Sequence, residues 1–158
     1  STGKPEERAL YGDALQIFDA IRPRHESIAV IGRSLGSGVA TWLAVERRID
    51  RLVLVTPFDS LAGIAGAAFP LYPAGLLLRE RYASAERAPR IDTETLILAA
   101  GDDSIVPEDS TRKLAGAFAQ GNARVVTIPG AGHNSLSEKR EYYRQLTDFL
   151  IRDQSKNR

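Results

Sequence analysis

A serine, a histidine and a pair of aspartates occupy positions from which they could carry out nucleophilic catalysis. Ser34 lies at the centre of a Gly-x-Ser-x-Gly pattern, Gly32-Arg33-Ser34-Leu35-Gly36. A serine hydroxyl is a weak nucleophile until a neighbouring base removes its proton. His133 is the candidate base, and Asp102 or Asp103 is the candidate carboxylate that would hold the imidazole in one tautomer. The residue types therefore favour a Ser-His-Asp arrangement.

The sequence around Ser34 predicts a sharp turn between a buried strand and a helix. Ile28 to Ile31 is an apolar run that is typical of a buried parallel strand, and a helical pattern of apolar residues follows the glycines. Its members are Val39, Ala40, Leu43 and Ala44. In such a turn the serine backbone is strained, and glycines on either side let neighbouring chain pass close to it. The hydroxyl would project beside free N–H groups at the helix N-terminus, which stabilise negative charge.

His133 follows the last predicted strand in the glycine-rich loop Gly130-Ala131-Gly132-His133-Asn134. Loops beyond the carboxyl ends of parallel strands open on one edge of the sheet, so we expect His133 to lie near Ser34. The alternative is a turn histidine that hydrogen-bonds its own backbone. His25 precedes the Ser34 strand at its opposite end, and we predict that it lies on the surface.

Asp102 and Asp103 both come directly after the third predicted strand. Either one could be an Asx turn or a helix-entry cap, which is the ordinary role of an aspartate in such a loop. The histidine needs one carboxylate, and sequence spacing does not choose between the two.

Length, charge and composition limit the number of domains and the kinds of partner and cofactor that this chain could have. A chain of 158 residues suits one domain with a substantial core. A net charge of +1 gives no electrostatic case for a nucleic-acid or anionic-membrane partner, and no apolar run approaches the ~20 residues of a membrane span. Cysteine is absent, which removes disulfides and thiolate chemistry. Two distant histidines without cysteine form no metal-ligand cluster, so we expect neither metal nor cofactor.

The alternation of helical and strand patterns predicts an α/β fold: a three-layer α/β/α arrangement around four parallel strands. One crossover, Pro57 to Glu94, is far too long for a plain connection. A Ser-x-x-Glu capping box at Ser135 and Glu138 predicts the start of the last helix. The first helix is predicted from the helical spacing of Leu10, Ala14, Ile17, Phe18 and Ile21. The predicted strands are Ile28–Ile31, Arg51–Thr56, Thr95–Ala100 and Arg124–Ile128.

Three segments together resemble the α/β-hydrolase superfamily: Gly32–Gly36, Asp103–Pro107 and Gly132–His133. That superfamily has its catalytic residues in the order Ser, Asp, His. The likeness is closest to the serine hydrolases of the dienelactone-hydrolase-like and prolyl-oligopeptidase-like branch. In that family the orienting aspartate stands four residues before the proline of an Asp-x-x-Val-Pro loop, which selects Asp103. Ala100 departs mildly from the usual glycine three residues before this aspartate.

The resemblance implies an acyl-ester hydrolase acting on a small-molecule acyl substrate. Ser34 would attack the carbonyl, His133 would act as base and then acid, and Asp103 would orient it. The resemblance also implies that the Leu35 backbone N–H is one oxyanion-hole donor and that Pro57–Glu94 is a lid or cap. Four apolar residues of this segment favour a hydrophobic acyl group or a short peptide side chain, although packing of the lid on the domain accounts for them equally. They are Phe58, Phe69, Tyr72 and Leu76.

The resemblance covers the whole chain but only the C-terminal portion of the family domain. It implies that four strands, and the loop that supplies a second oxyanion donor, lie upstream of Ser1. Ile28 to Ile31 would then form a bare apolar edge, which proteins usually avoid. We therefore expect a partner chain or self-association at this edge, a rearrangement that covers it, or a truncated chain.

Two other hypotheses compete with a hydrolase. The chain could be a catalytically silent or truncated member of the same fold. Alternatively, Gly32-x-x-x-Gly36-x-Gly38 fits the glycine-rich turn of a dinucleotide-binding domain. That domain needs an acidic residue about 20 positions on, at the end of the next strand. No acid follows that strand before Asp59, and no tyrosine has a lysine four residues later.

Overall fold

The computed structural model describes residues 6–68 and 81–151. Within them, four parallel strands form one sheet in the sequential order β1-β2-β3-β4. The predictions of an α/β fold and of four parallel strands are confirmed, with ends that differ by one or two residues. The strands are β1 (Ala29–Arg33), β2 (Arg51–Val55), β3 (Thr95–Ala100) and β4 (Ala123–Ile128).

Helices connect the strands and follow the last one. The α-helices are α1 (Glu7–Ile21), α2 (Leu35–Glu46), α3 (Leu61–Ala68), α4 (Ser84–Arg87), α5 (Glu108–Ala117) and α6 (Arg140–Ile151). Short 3-10 turns lie at Arg22–Arg24, Ala88–Arg90 and Leu136–Glu138. No helix in the described ranges has the length and apolar character needed to cross a membrane.

The central strands are buried on both faces, which creates the predicted three layers. Leu52 and Leu54 of β2 pack with residues of α1, α2 and α5 on one side. Val53 and Val55 pack with Phe149 of α6 on the other. Side chains alternate along a strand, so a strand covered by helices on both faces must be apolar at every position.

The inward face of α1 differs from the predicted one at Ile17 and Ile21, which are 63% and 37% exposed. The buried residues of this helix are Tyr11 and Phe18, with Ala14 and Leu15 partly buried. At 3.6 residues per turn these four positions form one stripe, and Ile17 lies beside it.

The predicted capping box at the start of the last helix is wrong. The Ser135 hydroxyl accepts a hydrogen bond from the Gly132 N–H at 3.0 Å, so it holds the preceding loop. Residues 136–138 form a 3-10 turn, and α6 begins at Arg140. The same Ser-x-x-Glu string thus serves a loop turn, because the chain has to reverse before the helix can cover the sheet.

The two ends of the long insertion lie side by side, and hydrogen bonds and an ion pair hold them to each other and to α5. The Leu61 N–H donates to the Arg81 carbonyl, and the Ala85 N–H donates to the Asp59 carbonyl, both at 2.9 Å. The buried Asp59 carboxylate accepts bonds from Lys113 and Ser110 of α5, each at 2.7 Å. Burial by itself raises the pKa of this carboxyl, but those bonds outweigh it, and the pKa lies below its usual value.

Only Phe58 of the four apolar residues assigned to this insertion falls in the described part of the chain. It is buried and packs with Tyr11, Tyr82 and Val106, which agrees with a core role for it. Phe69, Tyr72 and Leu76 lie outside the described residues.

Within the described residues β1 is one of the two edge strands of the sheet, the position that the resemblance implied for this apolar segment. Its residues alternate in burial, and Ile31 is 49% exposed on the face that carries α6 over the neighbouring strands.

Candidate functional site

Ser34 lies in the sharp turn between β1 and α2. Its backbone has φ 50° and ψ −121°, a conformation that is rare for a residue with a side chain. Hydrogen bonds on both sides hold this turn: the Ser34 N–H donates to the Val55 carbonyl at 2.9 Å, and the Ser34 carbonyl accepts from the Ser37 N–H at 2.8 Å and from the Ser37 hydroxyl at 2.6 Å. The surrounding strands and helix therefore maintain the strain that the sequence pattern predicted at this position.

The two glycines of the pattern play different roles. A Cβ placed on Gly32 would lie 2.5 Å from the Ala40 Cβ and 2.5 Å from the Gly36 carbonyl oxygen. Close contact between strand and helix therefore requires a glycine at this position. A Cβ on Gly36 would meet nothing within 4 Å. The expectation that both glycines allow close passage holds for Gly32 and is wrong for Gly36.

We expect Gly32→Ala to lower the free energy of unfolding by about 1–3 kcal/mol, because the added methyl group overpacks the turn. Gly36→Ala is the matched control. We expect it to be neutral or slightly stabilising, since alanine is the better helix former by roughly 0.5–1 kcal/mol. Urea unfolding of both variants measures the difference. Equal stability of the two would contradict the packing argument.

His133 extends from the loop after β4 to Ser34. Its Nε2 lies 2.9 Å from the Ser34 Oγ, and its side chain is 7% exposed. Both ring nitrogens contact other side chains, so His133 is not the self-bonded turn histidine considered as the alternative. His25 is exposed, in agreement with its predicted surface position.

Asp103, and not Asp102, faces the imidazole. The Asp103 carboxylate oxygens lie 2.9 and 3.1 Å from the His133 Nδ1. One of them also accepts bonds from the Ile105 and Val106 N–H groups at 2.9 and 2.8 Å. Asp103 therefore makes a local turn, as predicted for an aspartate in such a loop, and contacts the histidine at the same time. Asp102 is exposed, and its N–H donates to the Ala131 carbonyl at 2.9 Å.

Leu35 is the first residue of α2, directly after Ser34. At that position a backbone N–H has no acceptor within its own helix. The N-terminal end of a helix also carries partial positive charge, which favours an oxyanion. The Leu35 side chain is 42% exposed. The backbone N–H of Leu35 thus has the helix position required of the predicted oxyanion donor.

The geometry does not favour a dinucleotide-binding turn. The third glycine of that pattern, Gly38, is covered by the buried Tyr82, whose ring and Cβ lie 2.7 and 2.8 Å from a Cβ placed there. Thr56 directly follows β2, at the place where dinucleotide-binding domains have an acidic residue. Across residues 6–68 and 81–151, no three His, Asp or Glu side chains are grouped to hold a metal ion.

Sequence reasoning missed one contact in this region. A guanidinium nitrogen of Arg33, Nη2, donates to the His133 carbonyl oxygen at 3.0 Å. The position immediately before Ser34 carried no predicted role. The sequence feature that could have predicted this contact is the long cationic side chain of Arg33, directly before Ser34, on the edge of the sheet where the His133 loop was expected.

Comparisons with known proteins agree with this architecture. A family model described as the alpha/beta hydrolase fold matches residues 74–140. The chain is 38% identical over 136 residues to an uncharacterised protein of Mycobacterium tuberculosis, covering 84% of this chain and 48% of that protein. It is 31% identical over 183 residues to the lysophosphatidylserine lipase ABHD12 of Bos taurus, covering 95% of this chain and 45% of the lipase. The chain therefore spans about half the length of these curated relatives.

Solved structures show the same likeness. The alpha/beta hydrolase MGS-M2, from a deep-sea metagenome library of the Medee basin, superposes with a TM-score of 0.72 at 17% identity. The match covers 94% of this chain and 73% of that one. The chain has the alpha/beta hydrolase fold.

Proposed function

We propose that this protein is a serine hydrolase that cleaves a carboxylic ester, or a related acyl bond, through an acyl-enzyme. Ser34 is the nucleophile, His133 the general base and acid, and Asp103 the residue that orients the imidazole. The observation that carries the proposal is the continuous hydrogen-bonded series from the Ser34 Oγ through the imidazole to the Asp103 carboxylate, with contacts of 2.9 Å at each end.

The first half of the reaction acylates Ser34. With Nδ1 protonated and donating to Asp103, the lone pair of Nε2 accepts the serine proton as Oγ attacks the carbonyl carbon. The tetrahedral intermediate carries its negative charge on the former carbonyl oxygen, beside the Leu35 N–H. When the intermediate collapses, the imidazolium gives its proton to the departing alkoxide. An alcohol leaves, and the acyl group remains on Ser34.

The second half repeats these steps with water as the nucleophile. His133 takes a proton from water, the resulting hydroxide attacks the acyl carbon, and the Ser34 oxygen leaves with the proton from the imidazolium. A carboxylic acid is released and the serine is regenerated. The carboxylate of Asp103 keeps its charge throughout and stabilises the imidazolium in both halves.

Two finer assignments belong to the same proposal. The segment Pro57–Glu94 is the lid or cap of the domain, a role supported by the hydrogen bonds that join its two ends, Leu61 to Arg81 and Ala85 to Asp59. The branch of dienelactone-hydrolase-like and prolyl-oligopeptidase-like enzymes remains our preferred placement, on the strength of the Asp103–Pro107 loop. The relative from Bos taurus, ABHD12, is a lysophosphatidylserine lipase, which supports an ester as the substrate class.

A fluorophosphonate probe tests the proposal, because it reacts covalently with activated serines. We expect one adduct, which peptide mass spectrometry assigns to Ser34 in the fragment that contains Gly32 to Gly36. Prior denaturation should abolish labelling, since an isolated serine hydroxyl is not activated. Absence of labelling in the folded protein, or an adduct at another serine, would refute the proposal. Absence of labelling with tight binding of NAD(P) would favour the dinucleotide-binding alternative.

A further inference from the structure

Arg33 joins the turn that carries Ser34 to the loop that carries His133. It is the last residue of β1, and its Nη2 reaches across 100 positions of sequence to the His133 backbone carbonyl at 3.0 Å. In residues 6–68 and 81–151 it makes no ion pair within 4.0 Å, in contrast to Arg47 and Arg144, whose guanidinium groups are held by carboxylates. The carbonyl of His133 is therefore its hydrogen-bond partner in this part of the chain.

The other hydrogen bonds of the histidine loop do not reach the Ser34 turn. The Gly132 N–H donates to the Ser135 hydroxyl at 3.0 Å, and the Ser135 N–H donates to the Gly132 carbonyl at 3.2 Å, so these bonds stay within the loop. The Asp102 N–H donates to the Ala131 carbonyl and ties the loop to the end of β3. Within the described ranges, the hydrogen bonds between turn and loop are the Arg33 contact and the one between imidazole and Ser34.

We propose that Arg33 is a positioning residue that sets the distance between His133 and Ser34 by holding the backbone of His133. The inference rests on the proposed function, and it adds a residue that acts on the histidine loop without contacting the reacting atoms. Arginine suits the task because its planar guanidinium directs its donors in fixed directions at the end of a long stem. Without this bond, the Ser34–His133 contact would be the direct hydrogen bond that is left between turn and loop in the described ranges, and its proton moves during the reaction.

The test compares Arg33→Ala with Arg33→Lys and with the control Arg144→Ala, which removes an exposed arginine paired with Glu141 on α6. We expect Arg33→Ala to lower kcat and the rate of fluorophosphonate labelling by about 10–100-fold, because small misplacements of a reacting group are costly. KM should change little, since the substrate is not contacted. Arg33→Lys should recover part of the loss, because its ammonium can donate a single bond to the same carbonyl.

Hydrogen exchange of residues 130–134 provides a readout that does not require turnover. We expect faster exchange in Arg33→Ala than in the wild-type protein, with Arg33→Lys between them and Arg144→Ala unchanged. Unaltered exchange in Arg33→Ala would overturn the inference. An unaltered kcat in Arg33→Ala would also overturn it, provided that the wild-type protein reacts with the probe. A wild-type protein that shows no labelling would instead refute the proposed hydrolase, while the exchange comparison would still decide the role of Arg33. If Arg33→Ala does not fold, the comparison of Arg33→Lys with wild type decides it.

Discussion

Ser34→Ala is expected to lower kcat/KM for a simple activated ester by about 10⁶-fold. Alanine removes the oxygen that forms the acyl-enzyme, and the remaining groups can only polarise the carbonyl and orient water. Oxyanion stabilisation and substrate binding would leave a small residual activity. Steady-state hydrolysis of a p-nitrophenyl ester, with labelling by the fluorophosphonate probe, measures the loss.

The matched control is Ser104→Ala, an exposed serine next to Asp103 that is expected to keep wild-type activity. Thermal unfolding of Ser34→Ala should match that of the wild-type protein, because alanine and serine carry a similar steric cost at φ 50°. Activity that survives in Ser34→Ala would show that the hydrolysis belongs to another group or to a contaminant.

Asp103→Asn is expected to lower kcat by about 10⁴-fold while the fold stays intact. An asparagine amide is neutral, so it neither favours the Nδ1–H tautomer of His133 nor stabilises the imidazolium that forms when Ser34 loses its proton. The amide oxygen can still accept the N–H bonds of Ile105 and Val106, which keeps the local turn. The effect should therefore appear in catalysis and hardly at all in stability.

Asp102→Asn is the control, since Asp102 is the adjacent aspartate that sequence spacing could not exclude. Its side chain is exposed, and the bond it contributes to the loop comes from its backbone. We expect hydrolysis within about two-fold of wild type, as for ordinary surface substitutions. A larger loss in Asp102→Asn than in Asp103→Asn would reverse the assignment. Circular dichroism of both variants checks that the fold is retained.

The sequence was most informative where one local pattern leads to one structure. The segments 52–55 and 96–100 are apolar at every position, so both faces of each strand had to be buried, and helical patterns lie between them. Parallel strands then bring the turn at Ser34 and the loop at His133 to one edge, since all their carboxyl ends point the same way.

The sequence-based predictions failed where the burial or the hydrogen-bond partner of a residue depends on a tertiary contact. Ile17 matches a helical apolar stripe, but the sheet packs against the stripe beside it. Ser135 and Glu138 match a helix start, yet the serine hydroxyl bonds the Gly132 N–H. Gly36 belongs to the serine pattern without any packing need for glycine. A short sequence motif indicates which contacts a residue can make. Which of those contacts forms depends on how the rest of the chain packs around it.

By itself, the sequence determined the α/β layering, the four parallel strands, the strained turn at Ser34 and the edge of the sheet where His133 would lie. These follow from periodicity and chain direction, which are local properties. The tertiary structure decided that Asp103, the aspartate that the resemblance implied, faces the imidazole. It also decided that Gly32, and not Gly36, has no room for a Cβ, and that Arg33 holds the His133 carbonyl. Each of these depends on distances of a few ångströms between segments far apart in sequence, and such distances are set by packing.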